Sequence, residues 1–237
     1  VFKPYVTLAV LAVTGVPSVA QFAVPGLVPA LMRDPDAIAH GQWWRLVTAL
    51  VVQDGGVAGT VVNLGFLAVL GHLAERALGP ARWLLFYATG ALAGETSGYL
   101  LGQPGAGNSV ALCGLAAALA MSAAGPLERS LAAFYTLLPG AWVLSAVGGA
   151  AGVTGVTGAD GTLRVVLVAA VAAAGSQLVS RRDRLPSWLP GAVPVAVALT
   201  LTLLRDLHGV ALLAGVIVGW LARGVSAPAP PRTTSPV

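Results

Sequence analysis

Apolar residues run along this chain in long blocks, and the polar ones gather in short gaps between them. A helix needs about 17–25 apolar residues to cross the hydrocarbon layer of a bilayer. Eight candidate blocks are expected: residues 5–23, 56–78, 81–102, 109–124, 131–151, 162–180, 191–204 and 207–222. The fourth is short for a full crossing, so its first turn is expected below the membrane surface. Gly79 stops the second block and Pro80 opens the third, the common order for a helix end followed by a helix start. Residues 28–54 form a different kind of segment, with Arg33, Asp34, Asp36, His40, Trp43, Trp44 and Arg45 among apolar neighbours. That pattern predicts a stretch lying in the membrane interface, indoles at headgroup depth and cations reaching water. Residues 1–223 thus read as one transmembrane domain, and residues 224–237, with their Pro, Ser and Thr, as a disordered tail.

Composition turns these blocks into a class. Of 237 residues, 57% are hydrophobic and 9% charged, where a soluble domain carries about 25% charged residues. Mean hydropathy is +0.83. The expected fold is an all-α, multi-pass integral membrane protein. Thirteen Lys and Arg against nine Asp and Glu give a formal charge of +4. The basic residues fall mostly in short gaps, which points to topology and to a lipid bilayer as partner, not to nucleic acid. With a cytoplasmic N-terminus, Lys3, Arg76, Arg82, Arg129, Arg181, Arg182, Arg184, Arg223 and Arg232 lie inside, and Arg33, Arg45, Arg164 and Arg205 outside. Nine against four fits the excess of positive charge on the cytoplasmic side and places both termini there. A single cysteine, Cys113, excludes an internal disulfide. Three scattered histidines argue against zinc, and no dinucleotide or phosphate-loop glycine pattern is present, so no cofactor or metal is expected. The sequence opens on Val1 rather than Met, so a start further upstream is expected.

Candidate chemistry sits at the mouth of the fourth block. A loop containing Pro104, Gly105 and Gly107 leads into Ser109, after which residues 110–124 are uncharged. A serine there is a natural helix N-cap. His208 opens the last block, and because three blocks lie between, both helices run in the same direction and both residues share one depth. Small residues recur at helical spacing after each: Cys113, Ala116, Ala117 and Ala120 after Ser109, and Ala211, Gly215 and Gly219 after His208. Such faces let helices approach closely in lipid, which would bring imidazole to hydroxyl and activate the serine as a nucleophile. Asn63, inside the second block, is either an interhelical hydrogen-bonding residue or a donor to the oxyanion of a tetrahedral intermediate. Glu95, inside the third, is expected to face protein or a watery cavity.

Trp43-Trp44-Arg45, Asn63, Glu75-Arg76-Ala77-Leu78-Gly79, Gly107-x-Ser109 with Gly114-Leu115, and His208 followed by Ala211 and Gly215 occur in an order that resembles the rhomboid family. The resemblance spans about residues 41–115 and 207–222. It implies a rhomboid-like helical bundle, here with about eight transmembrane helices: a six-helix core plus an extra pair. It also implies an intramembrane serine protease acting on transmembrane proteins without metal or cofactor, in a plasma membrane of bacterial type. Ser109 would be the nucleophile, His208 the base and Asn63 an oxyanion donor, while Trp44, Arg45, Glu75, Arg76, Gly107 and Gly215 would be structural. Three positions depart from the family's usual pattern. Val110 stands where a glycine commonly follows the serine, and is expected to crowd the oxyanion. Gly59 stands where a histidine donor is common, and Cys113 where an aromatic ring is. The alternative function is a catalytically inactive relative that binds transmembrane helices; a small-molecule carrier built around Glu95 has no inverted repeat to support it.

Overall fold

The computed structural model describes residues 2–150 and 159–223; the tail expected at 224–237 lies outside the described residues. Among the described residues the fold is all-helical, and eight long helices match the eight expected blocks to within a few residues. They are α1 (Tyr5–Ala20), α5 (Gly56–Leu78), α6 (Pro80–Leu100), α7 (Ser109–Met121), α8 (Pro126–Ala150), α9 (Ala159–Ser180), α10 (Leu189–Leu203) and α11 (Leu207–Arg223). Three short helices, α2 (Leu27–Leu31), α3 (Pro35–Ala39) and α4 (Arg45–Thr48), and a 3-10 turn at Ala49–Val51 make up the interfacial segment. Among the described residues α5 alone is both long and apolar enough to cross a membrane by itself, while α1, α7, α10 and α11 are apolar but shorter.

The bundle is built around α7, in which every residue from Val110 to Ala120 is buried. Helices α6, α8 and α11 pack directly on it. Thirteen helical residues span about 20 Å, against about 30 Å of hydrocarbon, so α7 sits wholly within the protein. Glycines set its distances to its neighbours. A Cβ on Gly90 of α6 would meet Gly114 Cα at 2.7 Å, one on Gly215 of α11 would meet the Gly114 carbonyl oxygen at 2.5 Å, and one on Gly219 would meet Ala118 Cα at 2.7 Å. The face of α7 that receives α11 is therefore Gly114, Ala117 and Ala118, shifted by a residue from the stripe that sequence spacing predicts, with Ala117 common to both.

Polar groups fix the periphery. Helix α1 begins at Tyr5 without a side-chain cap of its own. Its first N–H groups instead go to the Glu75 carboxylate of α5, which accepts from the Val6 and Thr7 amides at 3.0 and 2.8 Å and from the Thr7 hydroxyl at 2.7 Å. Arg76 pairs with Glu128 at 2.6 Å, tying the end of α5 to the start of α8. The Glu75-Arg76 pair thus joins α5 to both α1 and α8. Gly79, at φ +80, ends α5, and Pro80 opens α6.

Arg33 corrects an expectation. Instead of reaching water it is buried, 3% exposed, and its guanidinium lies 2.6 Å from Glu95 of α6. An intramembrane carboxylate requires a partner, and Gly98 makes room for this one, since a Cβ there would sit 2.5 Å from Arg33 Cζ. Removing one member of a buried pair costs about 3–5 kcal/mol, whereas replacing both by apolar groups is close to neutral. Arg33→Ala is therefore expected to lower the melting temperature sharply, and Arg33→Met with Glu95→Leu to restore most of it, as read by thermal unfolding in detergent.

Candidate active site

The loop before α7 is pinned on three sides by the interfacial segment. Arg33 and Gly105 exchange backbone hydrogen bonds at 2.8 and 3.1 Å, the Asp54 carboxylate accepts the Ala106 N–H at 2.9 Å, and the Ala49 carbonyl accepts the Gly107 N–H at 2.8 Å. Arg45 stiffens that segment from within. It donates to the Pro29 and Met32 carbonyls at 2.9 Å and to the Gln42 side chain at 2.7 Å. Trp43 and Trp44 are each 56% exposed. Trp43 also sets its ring edge-on to Tyr99 of α6.

Pinned in this way, the loop delivers Ser109 as the first residue of α7, with Asn108 in the capping position. The Ser109 hydroxyl does not serve as the cap. Its partner is the Nε2 atom of His208 at 2.9 Å, across 99 residues of sequence. His208 is the second residue of α11, held by the Asp206 carboxylate, whose Oδ1 accepts from the His208 backbone N–H at 2.9 Å and contacts the ring Nδ1 at 2.8 Å. Burial pushes the Asp206 carboxyl up, but the hydrogen bonds from His208 outweigh it, and the group titrates below the ordinary carboxylate range. Asp206 therefore carries its charge at neutral pH.

Asn63 and Gly107 close the other side. Gly107 sits at φ +143, a conformation that favours glycine. A Cβ there would lie 3.1 Å from Gln53 Oε1, 3.5 Å from Asn63 Nδ2 and 3.7 Å from Ser109 Oγ. These three groups converge on the space that the missing side chain leaves. The first N–H groups of α7 have no acceptor inside the helix and add a positive helix end beside Ser109. Val110 does not crowd this space. Its side chain is buried against α6, in a notch where a Cβ on Gly94 would come within 2.5 Å of it. A Cβ on Gly59 would touch nothing within 4 Å. Cys113 is buried in the core.

Sequence reasoning passed over Gln53. It is 2% exposed, and its Oε1 accepts from Asn63 Nδ2 at 2.7 Å while its Nε2 donates to Asn108 Oδ1 at 3.2 Å and Ser18 Oγ at 3.3 Å. A lone amide closing the apolar run Leu50-Val51-Val52, directly before the Asp54-Gly55-Gly56 turn, was the available signal. Gln53 sets the orientation of the Asn63 amide.

Residues 40–154 match the family model described as Rhomboid domain. Rhomboid protease GluP of Bacillus subtilis (strain 168) is 34% identical over 88 residues, which is 37% of this chain and 17% of that relative, so the match takes in less than a fifth of the relative's length. No solved structure matches the chain. The matched stretch includes Asn63 and Ser109 but stops short of His208. Gln53→Leu leaves the Asn63 amide and the Asn108 oxygen without this partner, and each unsatisfied buried group costs about 1–3 kcal/mol. The variant is expected to unfold at lower denaturant or temperature than wild type, measured by intrinsic tryptophan fluorescence in micelles.

Proposed function

We propose that this chain is an intramembrane serine protease of rhomboid type, hydrolysing a peptide bond in transmembrane proteins through Ser109 and His208. The observation that carries the reading is the 2.9 Å contact between Ser109 Oγ and His208 Nε2, made by residues that begin two different helices. A hydrogen bond of that length is what a general base needs to take a proton from a nucleophile.

The chemistry runs in two halves. As Oγ forms its bond to the substrate carbonyl carbon, its proton passes to Nε2 and the carbonyl electron pair moves onto oxygen. The first N–H groups of α7 and the Asn63 amide are the donors available to that oxyanion, and one such donor is typically worth about 2.7–4 kcal/mol of barrier. Collapse breaks the C–N bond, with His208 returning the proton to the leaving amine. Water then repeats the sequence on the acyl-enzyme and frees Ser109. No metal or cofactor enters this scheme. Because α7 is short and lies within the bundle, the hydroxyl stands below the interface, where a peptide bond near the end of a transmembrane substrate helix reaches it. The surrounding lipid bilayer is of bacterial plasma-membrane type, with both termini cytoplasmic by the charge bias of the loops.

A second reading draws on Gly59. With no side-chain donor there, the oxyanion has Asn63 as its side-chain donor, which favours a relative that binds transmembrane helices without cutting them. Cleavage of a reporter transmembrane protein by the purified chain separates the two. We expect His208→Ala to slow cleavage by about 10²–10⁴-fold and Ser109→Ala to reduce it to background. A fluorophosphonate is expected to label wild type and not Ser109→Ala. Binding of the reporter with neither cleavage nor labelling would establish the second reading.

A further inference from the structure

The turn between α10 and α11 puts a carboxylate on the side of the histidine ring opposite the serine. Asp206 Oδ1 lies 2.8 Å from Nδ1 of His208, and Nε2 of the same ring lies 2.9 Å from Ser109 Oγ. Acid, imidazole and alcohol therefore stand in a row. A helix cap accounts for one of the bonds made by Asp206, the one to the His208 backbone N–H, but not for the bond to the ring.

The turn is held in an uncommon conformation. Arg205, which is not a glycine, has φ +57. Its carbonyl accepts from Gln103 Nε2 at 2.9 Å, and the next amide, that of Asp206, donates to the Leu201 carbonyl at 2.9 Å. Gly209 lets α10 and α11 close on each other, since a Cβ there would lie 2.3 Å from the Thr202 amide nitrogen. A non-glycine residue in the left-handed region persists where its surroundings over-determine it, and such positions gather at working sites. Here the strained residue sets the carboxylate that follows it.

An ionised carboxylate only accepts hydrogen bonds, so the ring nitrogen facing it carries the proton, and in a neutral imidazole the other nitrogen then presents its lone pair. Glu95 of α6 acts on His208 and Arg33 of the interfacial segment on Asp206, and these two are paired with each other. The anion in direct contact with the imidazole is Asp206.

We propose that Asp206 is a positioning residue of the Ser109–His208 pair, fixing the Nδ1–H tautomer, aiming Nε2 at the hydroxyl and stabilising the imidazolium formed during attack. The proposal rests on the protease reading above. Asp206 takes no proton: the proton leaves Oγ for Nε2 and goes on to the amine, while the Nδ1–H stays on the ring.

The test uses the full chain in detergent. Asp206→Asn keeps an oxygen for the His208 backbone N–H, so its melting temperature is expected to stay near that of wild type. Its KM for a reporter transmembrane substrate should be unchanged, while kcat falls about 10²-fold or more. In histidine-15N-labelled protein, the Nδ1–H proton resonance is expected further downfield in wild type than in Asp206→Asn, because a charged oxygen is the stronger acceptor, and Asp206→Glu should recover part of kcat. An Asp206→Asn variant that cleaves at the wild-type rate, or whose loss tracks only its folded fraction, overturns the proposal and leaves the protease reading standing. A wild-type chain that neither cleaves nor accepts a fluorophosphonate at Ser109 overturns the protease reading itself, and reduces Asp206 to a helix cap.

Discussion

The close approach of α11 to α7 is the constraint on which the rest depends. Lipid gives two apolar helices no hydrophobic reason to associate, so van der Waals contact between small residues has to hold them. Gly114 and Gly215 supply that contact: a Cβ on either would overlap backbone, on Gly114 that of α6 and on Gly215 that of α7. Gly114 is thus pressed from two sides, by Gly90 and by Gly215. Counting back from this junction, Ser109 is five residues and His208 seven residues away, or about 7.5 and 10.5 Å along their helices. The difference is within reach of an imidazole. The serine–histidine contact is therefore a consequence of helix packing two turns away.

Packing alone does not set the loop that carries the serine. Its position comes from hydrogen bonds between polar groups of distant segments. Gln103 joins the two sides of the site: its carbonyl accepts from Arg33 Nε at 2.7 Å, and its side chain donates to the Arg205 carbonyl at 2.9 Å. The loop before Ser109 and the turn before His208 are thereby fixed to each other as well as to the interfacial segment. The Arg33–Glu95 pair anchors the same assembly from beneath. Isolated charges at this depth would be expensive; together they stiffen the part of the molecule that must hold two side chains at hydrogen-bonding distance.

Those elements that depend on local composition were legible in the sequence. The eight apolar blocks and the Gly79-Pro80 helix boundary both follow from which residues stand next to one another. So does the shared depth of Ser109 and His208, which needs only the number of crossings between them. Contacts between distant segments were not legible. Arg33 looks like any interfacial cation until Glu95 and the gap at Gly98 are seen beside it. The face of α7 that meets α11 differs by one residue from the stripe of small side chains, because nearly every residue of α7 is small and several registers fit equally well. Gln53 was invisible for a related reason: an amide becomes informative once its three partners, from α1, α5 and the loop before α7, are known.

Val110 shows how a departure at one position is absorbed at another. A branched side chain directly after the serine reads as an obstruction of the oxyanion space if the helix start is considered alone. Side chains on consecutive helical residues point about 100° apart, however, and the rotation that brings the Ser109 hydroxyl to His208 carries Val110 round toward α6. There Gly94 has no Cβ, and the isopropyl group fills the notch. The space above Ser109 is bounded instead by Gly107, Gln53 and Asn63. A valine at this position is thus compatible with an open site so long as position 94 stays without a side chain, and the two residues have to be read as one unit. Gly59 of α5 brings no side chain to this space, and in the proposed reaction the oxyanion would rest on the N–H groups of α7 and on the Asn63 amide, which is bonded to Gln53.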